Sequence, residues 1–100
     1  MANPTIFPIT SVNDTFATVG VASAVALAAN VNRVDCDFVN DSDNIIYLAR
    51  GNAAIIGSGI RINPNGGSYR IGTNNLFYGA IYGIATAAGS NLTISEGYLP

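Results

Sequence analysis

The 100-residue chain contains no lysine, no histidine and no tryptophan, and its only cations are Arg33, Arg50, Arg61 and Arg70. Without histidine, the commonest acid–base catalyst and the commonest zinc ligand are both missing. Four scattered arginines against six carboxylates give a net charge of −2 and leave no basic stripe for nucleic acid. The longest run of small apolar residues, Val21 to Ala29, falls far short of the roughly 20 that a membrane-spanning helix needs. Cys36 is the single cysteine, so no intrachain disulfide can form. It lies between Asp35 and Asp37, whose charges oppose thiolate formation, and a buried, inert thiol is expected there. The opening MANPTIFPIT has neither the basic start nor the apolar centre of a secretion signal, so the chain is expected to fold in a cytoplasm and stay soluble.

Charge of either sign is scarce. Charged residues make up 10% of the chain, against roughly 25% in ordinary globular proteins. Polarity comes instead from twelve asparagines and many serines and threonines. So few charges resist self-association poorly. The composition therefore points to a surface largely covered by copies of the chain or by a partner, the alternative being a merely low-charge monomer. With 49% hydrophobic residues, one modest core in a single domain is expected.

What fills the chain is period-two patterning. Residues 1–14, with Ile6, Phe7 and Ile9 around Pro4 and Pro8, read as an extended N-terminal arm, because proline removes ladder donors and favours extended backbone. Residues 15–100 read as a β-sandwich domain. Val21, Ser23, Val25 and Leu27 alternate with alanines. Val34, Cys36 and Phe38 alternate with Asp35 and Asp37, which marks a half-buried strand. Ile45–Ala49, a short piece at Ala54–Ile56, Ile60–Ile62, Ser68–Ile71, Phe77–Thr86 and Leu92–Glu96 follow, separated by turn-forming residues such as Asn63-Pro-Asn-Gly-Gly67. About eight short antiparallel strands with no convincing helix indicate a small all-β sandwich or barrel.

No constellation of residues completes a catalytic or ligand-binding motif. Asp41 and Asp43 have the opening spacing of a calcium loop, but Ile45 and Ile46 stand where polar ligands are needed and no glutamate closes the loop. NDSDN reads instead as the turn of a hairpin between Phe38 and Ile46, two expected core residues; a metal site would need distant oxygens from Asp14 or Glu96. Asp35 and Asp37 share one strand face, as a solvated surface pair does. Gly66-Gly67 lacks the lysine and helix of a phosphate loop. The N-x-Ser/Thr matches at Asn13, Asn40 and Asn91 are expected by chance in such a composition. Tyr47, Tyr69, Tyr78 and Tyr82 could line a sugar-binding face, although wall positions with a wet hydroxyl are the commoner role. Arg61 and Arg70 flank the Asn63–Gly67 turn and are placed to pair with Asp35, with Asp37 or with an acidic partner surface. No catalytic, cofactor or metal residue emerges, and the chain does not read as an enzyme.

The order of segments in ALAANVNRVDCDFVNDSDNIIYLARGNAAIIGSGIRINPNGGSYRI and YGAIYGIATAAGSNLTISEG resembles small β-sandwich virion proteins of tailed bacteriophages. The matching positions are Asn40–Leu48, Gly59–Tyr69, Gly79–Ala85 and Leu92–Gly97, about three quarters of the chain, with the first twenty residues outside. The resemblance implies a virion structural protein of the capsid decoration, minor capsid or head-fibre type, assembled in the bacterial cytoplasm. Its partners would be the major capsid protein or other virion proteins and copies of itself, a homotrimer suiting the threefold points of a shell. Ile6, Phe7 and Ile9 are the candidate assembly contacts. The alternative is a fibre- or tail-associated module that recognises a host-surface glycan.

Overall fold

The computed structural model describes residues 11–99. Eight strands follow one another with no helix among the described residues: β1 (Ser11–Val19), β2 (Ala24–Leu27), β3 (Arg33–Asn40), β4 (Ile46–Arg50), β5 (Ile60–Ile62), β6 (Ser68–Ile71), β7 (Ile81–Ala85) and β8 (Ser90–Tyr98). They form two four-stranded antiparallel sheets, ordered β1-β8-β3-β6 and β2-β7-β4-β5. Only β4 and β5 are both consecutive and paired; every other connection crosses from one sheet to the other. Two interleaved Greek keys in this order make a jelly roll. The expected all-β sandwich is the fold observed.

Alternation builds the core. Cys36 and Phe38 of β3 point inward with Ile71 of β6 and Leu92 and Ile94 of β8. Ile46 and Leu48 of β4, Ile62 of β5 and Ile81 and Ala85 of β7 meet them from the second sheet. Phe38 lies opposite both Ile94 and Tyr69, and its ring stacks on that of Tyr69 at 6.2 Å between centroids. Phe38 and Ile46 are both fully buried, as the patterning predicts.

Several segments differ from the sequence reading. The NDSDN stretch is not a hairpin turn: β3 and β4 belong to different sheets, and the stretch is an arch between them. Phe38 and Ile46 therefore face each other's sheets instead of sitting on neighbouring strands. Asn63–Gly67 is likewise an arch, from β5 in one sheet to β6 in the other. The two arches are sewn together. Asn40, fully buried, donates its Nδ2 to the carbonyls of Asn44 (2.7 Å) and Ile62 (3.0 Å), and its Oδ1 accepts from Ser42 Oγ at 2.6 Å. Backbone bonds from Asn65 N to Ser42 O and from Gly66 N to Asn40 O close the join. The asparagine that reads as turn chemistry is thus an inter-sheet connector.

Other boundaries shift as well. The Val21–Leu27 alternation yields a strand only from Ala24, bulged before Leu27, and only Leu27 of that set is buried. Ala54–Ile56 is loop, and Phe77–Ala80 precedes β7 as loop. Residues 11–14, expected as the end of the arm, are paired to β8 within β1. The candidate contacts Ile6, Phe7 and Ile9 lie outside the described residues.

Candidate interaction surface

Nine large apolar side chains are exposed among the described residues: Val12, Phe16, Val21, Val25, Val31, Ile55, Ile56, Tyr78 and Leu99. Their placement is uneven. β1 and β2 are edge strands of the two sheets and pack against each other, so they form one lateral edge of the sandwich. Val12 and Phe16 stand on the outer face of β1, and Val21 and Val25 lie just before and on β2. The β4–β5 loop reaches the same edge, since Ala54 N donates to Ser23 Oγ at 2.8 Å. The loop then runs back along β4 and β5, where Ile55 lines a depression with Leu48, Ala49 and Ile60. The opposite lateral edge, β5 and β6, carries Arg61, Asn63, Ser68 and Arg70 instead. The β1–β2 edge thus carries four of the exposed apolar side chains, and the β5–β6 edge two of the four arginines.

The first half of β1 is more exposed than an ordinary edge. Asn13 and Thr15 lie on the side that faces the second sheet, opposite Glu96 and Ile94, yet both are exposed. Further along the same side Ala17 is half-buried and Val19 buried. The second sheet therefore covers only the later part of β1. Val12 to Phe16 form a five-residue stretch open on both faces, with Phe16 at 65% exposure.

Val31, Tyr78 and Leu99 gather at one end of the sandwich, on three chain segments locked together by a residue that the patterning places elsewhere. Alternation from Cys36 and Phe38 points Val34 inward. A β-bulge between Arg33 and Asp35 shifts the phase, so Arg33 lies on the inner face with Cys36. Arg33 is 1% exposed. Its Nε donates to Glu96 Oε2 at 2.7 Å, Nη1 to the carbonyls of Phe77 (2.7 Å) and Gly79 (3.0 Å), and Nη2 to that of Ala28 (2.7 Å). Backbone bonds Asn30 N to Tyr78 O and Leu99 N to Asn32 O complete the clamp. A buried ion pair that also satisfies three carbonyls fixes these loops without leaving a charge unpaired.

The outer face of the first sheet is slightly concave and mixes polar with apolar side chains. A depression of about 580 Å³ is lined by Asp14, Phe16, Asp37, Val39, Asn91, Thr93 and Ser95. Ser95 Oγ donates to Asp14 Oδ1 at 2.6 Å, while Arg70 Nη1 reaches both oxygens of Asp37 at 2.8 and 2.9 Å and Nη2 reaches Asp35 at 3.3 Å. The expected pairing of Arg70 with both carboxylates is present; Arg61 instead bonds Asn63 Oδ1. Exposed as it is, the Arg70 cluster contributes roughly 0–1 kcal/mol per pair.

The other singled-out residues do not converge. Tyr69 packs against Phe38, Tyr78 sits on the end loops, and only Tyr47 and Tyr82 share a sheet face, so the four tyrosines make no common sugar-binding wall. Asp41 Oδ2 accepts from Asn91 at 3.5 Å, whereas Asp14 and Glu96 are engaged by Ser95 and Arg33. Among the described residues, no group of three His, Cys, Asp or Glu side chains could hold a metal ion. Cys36 is fully buried, and burial first, then the nearby Glu96 charge, pushes its pKa from 9.0 up to about 12. No protein family, curated protein or solved structure matches the chain.

Proposed function

We propose that this chain is a structural protein of a tailed-bacteriophage particle, a capsid decoration (cement) or minor capsid protein that binds the assembled head and stabilises it. The observation that carries this reading is an exposed apolar edge. Val12 and Phe16 on β1, and Val21 and Val25 just before and on β2, are exposed along the β1–β2 edge of a domain whose charged fraction is 10%. Exposed apolar clusters of that kind mark binding surfaces in soluble proteins. The jelly-roll strand order supports it by analogy alone, since viral capsid domains use the same order. Many weak contacts, repeated over a lattice, would stabilise the shell together. The partners are then the major capsid protein and further copies of the chain. Mixing purified protein with empty heads tests the reading. Co-sedimentation at a fixed copy number is expected, and failure to bind heads at any concentration would overturn it.

The depression on the first sheet favours a second reading, a fibre- or tail-associated module for a host glycan. Phe16 offers a ring face, and Asp14, Asn91, Thr93 and Ser95 offer hydrogen-bonding groups around it. Under that reading the protein adheres to host cells and ignores heads, and Phe16→Ala abolishes adhesion.

A further inference from the structure

Four strands end the two sheets, and three of them are short: β2 has four residues and a bulge, β5 three, and β6 four with Arg70 at its centre. Natural edges are blunted in these ways against unwanted pairing. β1 is not. It runs nine residues without proline, carries Asp14 as its only charge, and among the described residues pairs with β8 alone. Its first half is also the stretch open on both faces. An edge so constituted is built to receive a strand.

The ten residues before Ser11 contain a segment suited to that edge. In extended chain, residues of one parity direct both N–H and C=O to the same side. Pro4 and Pro8 share one parity, so the side they occupy lacks two donors. Thr5, Phe7 and Ile9 share the other and keep every donor and acceptor. The segment can pair on one side only, which allows one strand to be added and stops a further one. Pairing with β1 of its own chain would need a tight hairpin at Ile9-Thr10-Ser11-Val12. That stretch has no Gly, Asn, Asp or Pro to make the turn, and Ser11 is already in register with Tyr98.

Resting on the reading of the chain as an assembly protein, we propose that residues 5–9 of one copy add as a strand to the open edge of β1 in a second copy. The arm thereby extends the β1-β8-β3-β6 sheet of its neighbour, in the manner of strand-addition complexes. Its apolar side chains come beside Val12 and Phe16 on the outer face of β1. The partner is another copy of this chain, and the arm is the contact.

Two proline variants of the chain separate this from docking by side chains alone, and both lie before Ser11, ahead of β1. Thr5→Pro removes a donor from the pairing side while changing only a small polar side chain. Ile6→Pro removes an apolar side chain but leaves the pairing side intact. Light scattering across a dilution series should show the native protein as an oligomer. Thr5→Pro should raise its dissociation concentration at least tenfold, with Ile6→Pro close to native. Amide exchange should protect Phe7 and Ile9 but not Ile6, and the protection should fade on dilution. A native monomer at every concentration overturns the proposal, as does the reverse order of the two variants or protection independent of concentration. Binding of the same samples to empty heads is scored separately. A monomer that decorates heads sinks arm exchange alone, and an arm-linked oligomer that ignores heads sinks the virion reading alone.

Discussion

Arg33 and Glu96 concentrate more of the molecule's organisation than any other pair of side chains. Replacing Arg33 with Met strands a buried carboxylate and frees the carbonyls of Ala28, Phe77 and Gly79. Urea unfolding should show a loss of about 3–5 kcal/mol, the range for a broken buried ion pair. The double variant Arg33→Met, Glu96→Leu should lose less than the sum of the single losses. Strict additivity would show that the pair is not coupled. Nothing in the sequence announces this role, because the bulge that turns Arg33 inward in place of Val34 depends on the pairing with β8 and leaves no mark in the alternating pattern. Cys36, in contrast, was legible: its place in that alternation foretold burial. Its raised pKa has a definite sign. Above the unfolded value of 9.0 the unfolded chain loses the thiol proton while the folded chain keeps it up to about 12. Stability contributed by the protonated thiol is therefore complete below pH 9.0 and is lost as pH rises toward about 12. Native protein should lose stability more steeply than Cys36→Ala across that window, and parallel curves would contradict the assignment.

At the scale of elements, local chemistry located the breaks but not their destinations. Asn63-Pro-Asn-Gly-Gly67 and NDSDN both carry turn residues, and both do bend the chain. Whether a bend returns the strand to its own sheet or sends it to the other is decided by long-range pairing, which alternation alone does not encode. Alanine-rich Val21–Leu27 misled for a related reason: on an edge strand the bulky side chains can face solvent or a partner, so their pattern no longer reports the core. The central strands were read correctly because both neighbours and the facing sheet enforce the alternation. Truncating Phe38 to Ala should accordingly cost about 3–5 kcal/mol in denaturant unfolding. The arch itself is equally testable. A Cβ on Gly67 would collide with the carbonyl oxygen of Asn63, so Gly67→Ala should destabilise by more than about 1 kcal/mol. A neutral result would mean that the arch relaxes freely.

For the whole molecule, the sparse charge read from composition finds its counterpart in exposed apolar side chains along the edge formed by β1 and β2. Composition predicts a covered surface without placing it; the assembled sheets place the exposed apolar side chains. The fold's integrity depends on packing and on buried polar connectors, with Asp41 and Asp43 standing in an arch that Asn40 and Ser42 organise. Chelator should therefore leave the thermal midpoint unchanged, and a fall on adding EDTA would reveal a metal in the arch. The central claim is that the β1–β2 edge attaches the protein to a capsid. The most direct test is the number of copies bound per empty head at saturation, compared between the native chain and Val25→Asp. Val25 is half exposed on an edge strand, so the charge should leave the sandwich folded. The account predicts a fixed, saturable copy number for the native chain and at least a tenfold weaker binding for the folded variant. Unsaturable binding, or equal binding by both proteins, would contradict it.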